Sequence, residues 1–137
     1  MKTLEIYCDG SASDSKLLGC GIVFVSEGKI LNKFSYKLPV SGDSYIAEYI
    51  AVIYAVYMIN FYVENIYIYT DTPSIIMSYF GTIVESKNKY SKKLSELLRQ
   101  CVDNLNCKHF RLKYVKSHAN NSFHNEADIL ARKSIGL

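Results

Sequence analysis

The length, composition and charge of the chain exclude several classes of protein. Its 137 residues are enough for one domain with one hydrophobic core. The 49% of hydrophobic and 21% of charged residues indicate a globular chain rather than a disordered one. The four cysteines form no CxxC pair and no basic-plus-apolar leader opens the sequence. We therefore expect reduced thiols, a cytoplasmic location and a single domain over residues 1–137.

The first predicted strand leads directly into an acidic residue. Residues 4–8 (LEIYC) alternate along the chain in the way that is typical of a strand with two unlike faces. We expect this strand to end at Asp9, and Cys8 to be a small buried strand residue. The Asp-Gly pair that follows is by itself most simply a turn, but strand ends are also a common place for ligand chemistry in α/β folds.

Two further strands and a helix are predicted next. A polar loop over residues 12–18 precedes a strand at 19–25, and a tight turn at Glu27-Gly28 leads into a third strand at 29–38. Short connections of this kind make an antiparallel meander. Pro39 is expected to stop the third strand, and Ser44 is a candidate N-cap for the following helix.

The helix predicted at residues 45–60 is apolar except for one carboxylate. It falls short of the roughly 20 residues that a membrane span requires, so a buried helix is the better interpretation. Glu48 is its only charged residue. A carboxylate on an apolar surface costs several kcal/mol unless a cation, hydrogen bonds or solvent compensate. The simpler alternative is that Glu48 complements the helix dipole in the first turn.

The next predicted strand also ends in an aspartate. Asp71 follows a strand at residues 63–70, and Thr72-Pro73 then opens a helix with the threonine as its cap. A helical crossover precedes this strand, as in a parallel pair. If this strand is a neighbour of the first, Asp9 and Asp71 lie side by side at the same edge of the sheet.

The last part of the chain combines basic residues with a polar segment. A helix is predicted at 89–106, a strand at 110–116 and a final helix at about 123–134. Basic residues outnumber acidic ones between residues 85 and 116, which can serve to neutralise phosphates. Taken alone, a solvated helix face explains such a charge run more simply. His118 lies in the polar connection before the final helix, which carries Asn125 and Asp128 near its start.

Four carboxylates therefore stand in unusual contexts. Asp9 and Asp71 follow strands, and Glu48 lies in an apolar helix. Asp128 lies in the first turns of the last helix. Gathered without metal these groups would repel one another, whereas oxygen ligands of this kind suit Mg²⁺. Two such ions about 3.5–4 Å apart can hold the attacking and leaving oxygens of a phosphoryl displacement.

Four segments of the sequence resemble the ribonuclease H family, specifically type 1. They are YCDGS in the first strand, AEYIAV in the first helix, YTDTPS after the fourth strand and VKSHANNSFHNEADILAR near the C-terminus. The resemblance implies an α/β fold of the ribonuclease H type, in which a five-stranded mixed sheet of order 3-2-1-4-5 is flanked by helices on both faces. The predicted order of strands and helices fits that fold over essentially the whole chain.

The resemblance also implies an activity, which is hydrolysis of the RNA strand of an RNA–DNA hybrid to leave 5′-phosphate and 3′-hydroxyl ends. Two Mg²⁺ ions, with Mn²⁺ as an alternative, would be held by Asp9, Glu48, Asp71 and Asp128. His118 would shuttle protons or help the product to leave. His109 and His124 have no such support, and we expect them to be structural or surface residues.

The implied substrate contacts are less specific. Gly10, Ser11 and Glu48 would contact the 2′-hydroxyl that distinguishes RNA from DNA. Ser44 stands where many relatives carry asparagine or threonine, and Asn125 matches the family ending. The chain has no tryptophan, so the tryptophan-rich basic protrusion of some members has no counterpart. The basic residues that would partly replace it are Lys89, Lys92 and Lys93.

Two other functions are possible on the same fold. A resolvase-like nuclease would cut DNA, which the loop around His118 and the ending HNEADILAR argue against. A non-catalytic nucleic-acid-binding domain would keep the fold, but an idle group of four carboxylates would be electrostatically unfavourable. Nothing in the sequence indicates a membrane partner or demands more than a monomer.

Overall fold

The computed structural model describes residues 1–81, 90–116 and 121–137. The elements follow the predicted order: β1 (Thr3–Ala12), β2 (Leu17–Ser26), β3 (Lys29–Ser41), α1 (Ser44–Tyr57), β4 (Val63–Thr70), α2 (Pro73–Tyr79), α3 (Ser91–Asp103), β5 (Cys107–Tyr114) and α4 (Ser122–Lys133). In these three ranges, no helix is both long and apolar enough to cross a membrane.

The strands form one mixed sheet in the order β3-β2-β1-β4-β5. β1 with β2 and β2 with β3 pair antiparallel, because short connections join them. β1 with β4 and β4 with β5 pair parallel, because helices make the crossovers between them. This arrangement confirms the predicted fold class and the predicted sheet order.

Helices cover both faces of the sheet. Alternation along β1 sends Leu4, Ile6 and Cys8 into one hydrophobic core, which residues of α1 and α3 help to fill. Cys8 is buried, as predicted. Tyr7 points to the opposite face, where it packs in a second core with α4. Asp9, two residues after Tyr7, therefore lies on the side of the sheet that α4 covers.

The connection between β2 and β3 is the tight turn that the sequence predicts. Both central residues have left-handed backbone conformations, with φ of 51° at Glu27 and 74° at Gly28. This is the pattern of a type I′ hairpin, whose twist matches the twist of the paired strands. The turn therefore helps to fix the register between the two strands.

Two predicted boundaries near α1 are wrong. β3 does not stop at Pro39 but continues to Ser41. Because β3 is an edge strand whose register against β2 shifts near this point, the missing N–H of the proline is tolerated. The N-cap of α1 is Asp43 rather than Ser44, since the Asp43 carboxylate accepts a hydrogen bond from the N–H of Ile46 at 3.1 Å. Ser44 is the first residue of the helix.

The prediction that β1 ends at Asp9 is also wrong. The antiparallel pairing of β1 with β2 continues to Ala12, but its parallel pairing with β4 stops where Tyr7 lies beside Tyr69. Asp9 therefore lies at the point where one neighbouring strand has ended and the other continues. The loop predicted at residues 12–18 is correspondingly shorter, because β2 already begins at Leu17.

Candidate active site

Residues from four parts of the fold meet around one polar cavity of about 170 Å³. Its lining residues are Asp9, Gly10, Glu48, Asp71, His124, Asn125 and Asp128. The four carboxylates predicted from the sequence all belong to this lining, although they come from β1, α1, the end of β4 and α4. Such a convergence of titratable side chains on one cavity makes it the candidate active site.

The parallel pairing of β1 and β4 puts two aspartates side by side. Tyr7 is the register partner of Tyr69, so Asp9 and Asp71, each two residues further on, lie at the same edge of the sheet. Their carboxylate oxygens belong to a group of potential ligand atoms that all lie within 4.8 Å of one another. This confirms the prediction that the two acids are neighbours.

A glycine lets α1 approach β1 closely enough for Glu48 to line the cavity. A Cβ atom at Gly10 would overlap the backbone atoms of Ala47 and Glu48. Glycine is therefore the residue that this close approach requires. No acidic residue lies in the first turn of α1, so the helix-dipole explanation of Glu48 is wrong.

A second glycine brings α4, and with it Asp128, to the same place. A Cβ atom at Gly21 would overlap the carbonyl oxygen of Ala127. Gly21 is also the register partner of Asp9 across the β1–β2 pair. Helix α4 therefore packs on the strand directly beside Asp9, and Asp128, the residue after Ala127, lines the cavity.

Thr72 connects the carboxylates by its hydroxyl group. The hydroxyl donates to Glu48 Oε2 at 3.3 Å and lies 3.4 Å from Asp71 Oδ1. One hydroxyl proton serves one acceptor at a time, and the shorter contact is the one to Glu48. Thr72 occupies the N-cap position of α2, as the sequence predicts, but its side chain makes no capping bond. The sequence pattern indicates only its position at the helix start and gives no sign of its contact with the site.

The cavity also contains His124, for which the sequence analysis expected a structural or surface role. Its side chain is buried with 2% exposure, and its Nε2 lies 3.2 Å from Asp71 Oδ2. Asn121 caps α4 by accepting a hydrogen bond from the backbone N–H of His124 at 2.9 Å, which fixes the first turn. The signal that could have revealed this position is spacing: His124 precedes Asp128 by one helical turn, so both lie on one face of α4.

Burial makes ionised carboxylates costly in this cavity. Asp9 is only 4% exposed, and burial together with the charge of Asp71 raises its pKa to about 6. Burial and the contact with Asp9 raise the pKa of Glu48 well above its usual value. Burial alone would lower the pKa of His124, but its hydrogen bond to Asp71 and the surrounding negative charges raise it. The cavity therefore concentrates negative charge that a cation can compensate.

The donor set fits a hard divalent cation. Mg²⁺ and related ions prefer carboxylate oxygens, which Asp9, Glu48, Asp71 and Asp128 supply. A cation bound among them would favour the ionised carboxylates and so oppose the effects that raise the pKa values of Asp9 and Glu48. The residues present therefore suit the metal chemistry expected from the sequence.

The remaining residues of the predicted site divide into three groups. Gly10 and Asn125 line the cavity. The described residues that do not line it are Ser11, Ser44, Lys92 and Lys93, of which the last three are exposed. His118 and Lys89 lie outside the described residues.

The family of the chain follows from its similarity to known proteins. The family model described as RNase H matches residues 1–135. The chain belongs to the ribonuclease H family. It is therefore a ribonuclease H, a nuclease for RNA–DNA hybrids, from a family that generally uses divalent metal ions.

Solved structures share the fold of this ribonuclease H at low sequence identity. RNase H1 from the halophilic archaeon Halobacterium salinarum NRC-1 aligns with a TM-score of 0.81 and 18% identity over 97% of each chain. LC11-RNase H1, isolated from compost and in complex with an RNA/DNA hybrid, aligns with a TM-score of 0.67 and 17% identity, over 97% of this chain and 99% of that one. The PFV RNase H domain aligns with a TM-score of 0.66 and 24% identity, over 96% of this chain and 90% of that one. No curated protein sequence matches the chain.

Proposed function

We propose that this ribonuclease H hydrolyses the RNA strand of RNA–DNA hybrids with two divalent metal ions, Mg²⁺ or alternatively Mn²⁺, and leaves 5′-phosphate and 3′-hydroxyl ends. The observation that carries the proposal is the convergence of four carboxylates from separate elements on one cavity. Family membership supports the substrate class. One structure of the same fold, LC11-RNase H1, is in complex with an RNA/DNA hybrid.

The proposed metal ligands are Asp9, Glu48, Asp71 and Asp128. When bound, a pair of divalent ions supplies a water of lowered pKa as the nucleophile and stabilises the leaving 3′ oxygen. Thr72 restrains Glu48 by a hydrogen bond of 3.3 Å, which keeps the carboxylate directed toward the cavity. Gly10 holds one oxygen of Asp9 through its backbone N–H at 3.0 Å. These two contacts orient ligands that would otherwise repel one another.

Other groups of the chain would bind the substrate and move protons. Gly10 lines the cavity, where its backbone can contact a ribose, and Glu48 can accept a hydrogen bond from the 2′-hydroxyl that DNA lacks. Asn125 is exposed beside the cavity and can donate to a phosphate. We assign proton shuttling to His118. Further contacts with the sugar-phosphate backbone of the hybrid are assigned to Ser11, Ser44, Lys89, Lys92 and Lys93.

Cleavage of a labelled RNA–DNA hybrid tests the reaction. We expect Mg²⁺ to support cutting of the RNA strand and EDTA to abolish it, while single-stranded RNA, duplex RNA and duplex DNA stay intact. Analysis of the product ends reports the 5′-phosphate and the 3′-hydroxyl. Cutting of branched or duplex DNA would instead indicate a resolvase-like nuclease. Binding without cutting in both Mg²⁺ and Mn²⁺ would indicate a non-catalytic nucleic-acid-binding domain.

Asp71→Asn tests the assignment of the metal ligands. The amide has the same shape but lacks the charge. Loss of a residue that only supports a metal ligand can cost up to about 100-fold in activity, so we expect loss of a ligand itself to lower kcat by more than that. The circular dichroism spectrum should not change. Asp103→Asn is the matched control, because Asp103 is an exposed aspartate at the end of α3. An Asp71→Asn enzyme as active as the wild type would contradict the assignment.

A further inference from the structure

We propose that His124 is a direct ligand of a divalent ion held by Asp9 and Asp71, and that its imidazole shifts the metal preference of the site from Mg²⁺ toward Mn²⁺. The inference deepens the proposed function and rests on it, because it concerns the same metal site. It adds a nitrogen donor to a ligand set that the sequence analysis described with oxygen donors alone.

The distances around His124 suit a shared ion. Its Nε2 lies 3.2 Å from Asp71 Oδ2. Two adjacent ligands of an octahedral ion with bonds of about 2.1 Å are separated by about 3 Å, which is close to this spacing. One ligand atom each from Asp9, Asp71 and His124 can be chosen so that all three lie within 4.8 Å of one another. Once metal binding has released to solvent the proton that joins Nε2 to Asp71, small side-chain movements bring the three atoms around one ion.

The imidazole is held in place by the start of α4. Asn121 caps the helix at the backbone N–H of His124, and Ala127 is fully buried against the sheet one turn later. The side chain of His124 is itself buried and lines the carboxylate cavity. A ring confined in this way loses little further freedom when it binds a metal.

A purely structural role accounts poorly for this histidine. Among the described residues, its Nδ1 is the one buried side-chain nitrogen or oxygen that has no hydrogen-bond partner. Burial of a polar ring with only one satisfied nitrogen costs free energy that an apolar side chain would not cost. Within the described part of the chain, its side chain hydrogen-bonds Asp71, a proposed metal ligand. The contact therefore points to the site rather than to packing.

The chemical consequence of a nitrogen ligand is a change in metal preference. Mg²⁺ takes oxygen ligands and binds imidazole weakly, whereas first-row transition ions accept imidazole readily. Mn²⁺ has the size and the octahedral preference to occupy a carboxylate site and can gain from one nitrogen donor. We therefore expect the wild-type protein to favour Mn²⁺, and loss of the imidazole to weaken Mn²⁺ binding more than Mg²⁺ binding.

Pulsed electron paramagnetic resonance of bound Mn²⁺ tests the nitrogen ligand directly. The wild-type protein should give a nitrogen hyperfine coupling that disappears in His124→Asn. Asparagine keeps a hydrogen-bond donor but offers no imidazole to the ion. If His124 only positions Asp71 and does not bind the ion, neither the wild type nor the variant should show nitrogen coupling. The coupling should persist in His109→Asn, which removes an exposed histidine of β5. It should also persist in His118→Asn, which removes the remaining histidine of the chain.

Calorimetric titration of the same proteins gives a second readout. We expect His124→Asn to lose about tenfold in Mn²⁺ affinity, within the range seen when metal sites are altered, and to lose less in Mg²⁺ affinity. Mn²⁺ binding without nitrogen coupling in the wild type, or coupling that survives in His124→Asn, would overturn the inference and leave the proposed function intact. Failure of the wild type to bind Mn²⁺ or Mg²⁺ at all would overturn both.

Discussion

At the scale of single residues, Asp9 is a carboxylate whose ionisation is unfavourable because the folded chain buries it. Its carboxylate is almost fully buried and accepts a hydrogen bond from the backbone N–H of Gly10 at 3.0 Å. Burial raises its pKa to about 6, which means that the folded chain holds the proton more tightly than the unfolded chain does. The ionised form that would bind a metal is therefore the form that destabilises the metal-free fold.

We predict that the metal-free protein loses stability as the pH rises from about 4 to about 6. The stabilising contribution of Asp9 is complete below its ordinary pKa of 3.8 and is lost as the pH rises through about 6. This difference corresponds to a loss on the order of 3 kcal/mol in the free energy of unfolding. Urea unfolding in EDTA at a series of pH values measures it.

Asp9→Asn should remove a large part of this pH dependence. Part of the slope should persist in the variant, because the pKa of Glu48 is also raised in the folded protein, so that its contribution is likewise lost as the pH rises above 4.5. The raised pKa of His124 adds a separate loss of stability above pH 6.5, its ordinary pKa. An Asp9→Asn protein that keeps the full slope of the wild type would show that burial of this carboxylate is not the cause.

At the scale of secondary structure elements, two glycines beside Asp9 let the helices come close to the sheet. Gly10 admits α1 and Gly21 admits α4, each at a point where a Cβ atom would overlap helix backbone. Gly10 follows Asp9 in β1, and Gly21 is its register partner in β2. Both contacts therefore lie beside the same carboxylate. The separation of the four acids depends on these two missing side chains.

We predict that Gly10→Ala destabilises the protein by about 1–3 kcal/mol, the usual cost of an added methyl group in a packed interior, and lowers kcat/KM for the hybrid. The overlapping atoms belong to the backbone of Ala47 and Glu48, so α1 and its carboxylate must move. Thermal unfolding and cleavage kinetics measure the two effects.

Gly28→Asn provides the control for a glycine substitution elsewhere in the chain, in the turn between β2 and β3. A Cβ atom at Gly28 meets nothing within 4 Å, and asparagine tolerates the positive φ of 74°. This variant should keep the cleavage rate of the wild type. If Gly10→Ala also kept its stability and its rate, the approach of α1 to β1 would not control the position of Glu48.

At the scale of the whole molecule, we predict that Mg²⁺ stabilises the fold. An ion that binds only the native state raises the free energy of unfolding by about 2.7 kcal/mol at 100 times its Kd. The gain should be larger at pH 8 than at pH 5, because carboxylate ligands must be ionised to bind. Scanning calorimetry with and without Mg²⁺ measures it. A gain of the same size in Asp71→Asn would place the ion elsewhere.

Sequence patterns predicted the architecture of the molecule correctly but misplaced several boundaries. The sheet order and the element order are as expected, yet Pro39 lies within β3 and Asp43 rather than Ser44 caps α1. Edge position and local register decide whether a strand tolerates proline, and neither can be read from nearby residues. A single domain over residues 1–137 and a monomeric state stay predictions, as do the roles of His118 and Lys89.

The sequence by itself predicted which carboxylates line the cavity. Alternating side chains predict strands, and a helical crossover predicts a parallel pair, so Asp9 and Asp71 were expected at one edge of the sheet if the two strands are neighbours, as they are. The unusual contexts of Glu48 and Asp128 marked them as further members of the site, and the cavity contains both. These properties depend on residue type and local periodicity, which are present in the chain before it folds.

Only the tertiary structure decided which neighbours the acids have and how deeply they are buried. Residues distant in the sequence meet where His124 contacts Asp71 and where the hydroxyl of Thr72 contacts Glu48. The raised pKa of Asp9 likewise results from burial and from the nearby charge of Asp71. Such contacts depend on the distances between packed helices and strands. Those distances are set by close backbone approaches, as at Gly10 and Gly21, that exist only after the chain has folded.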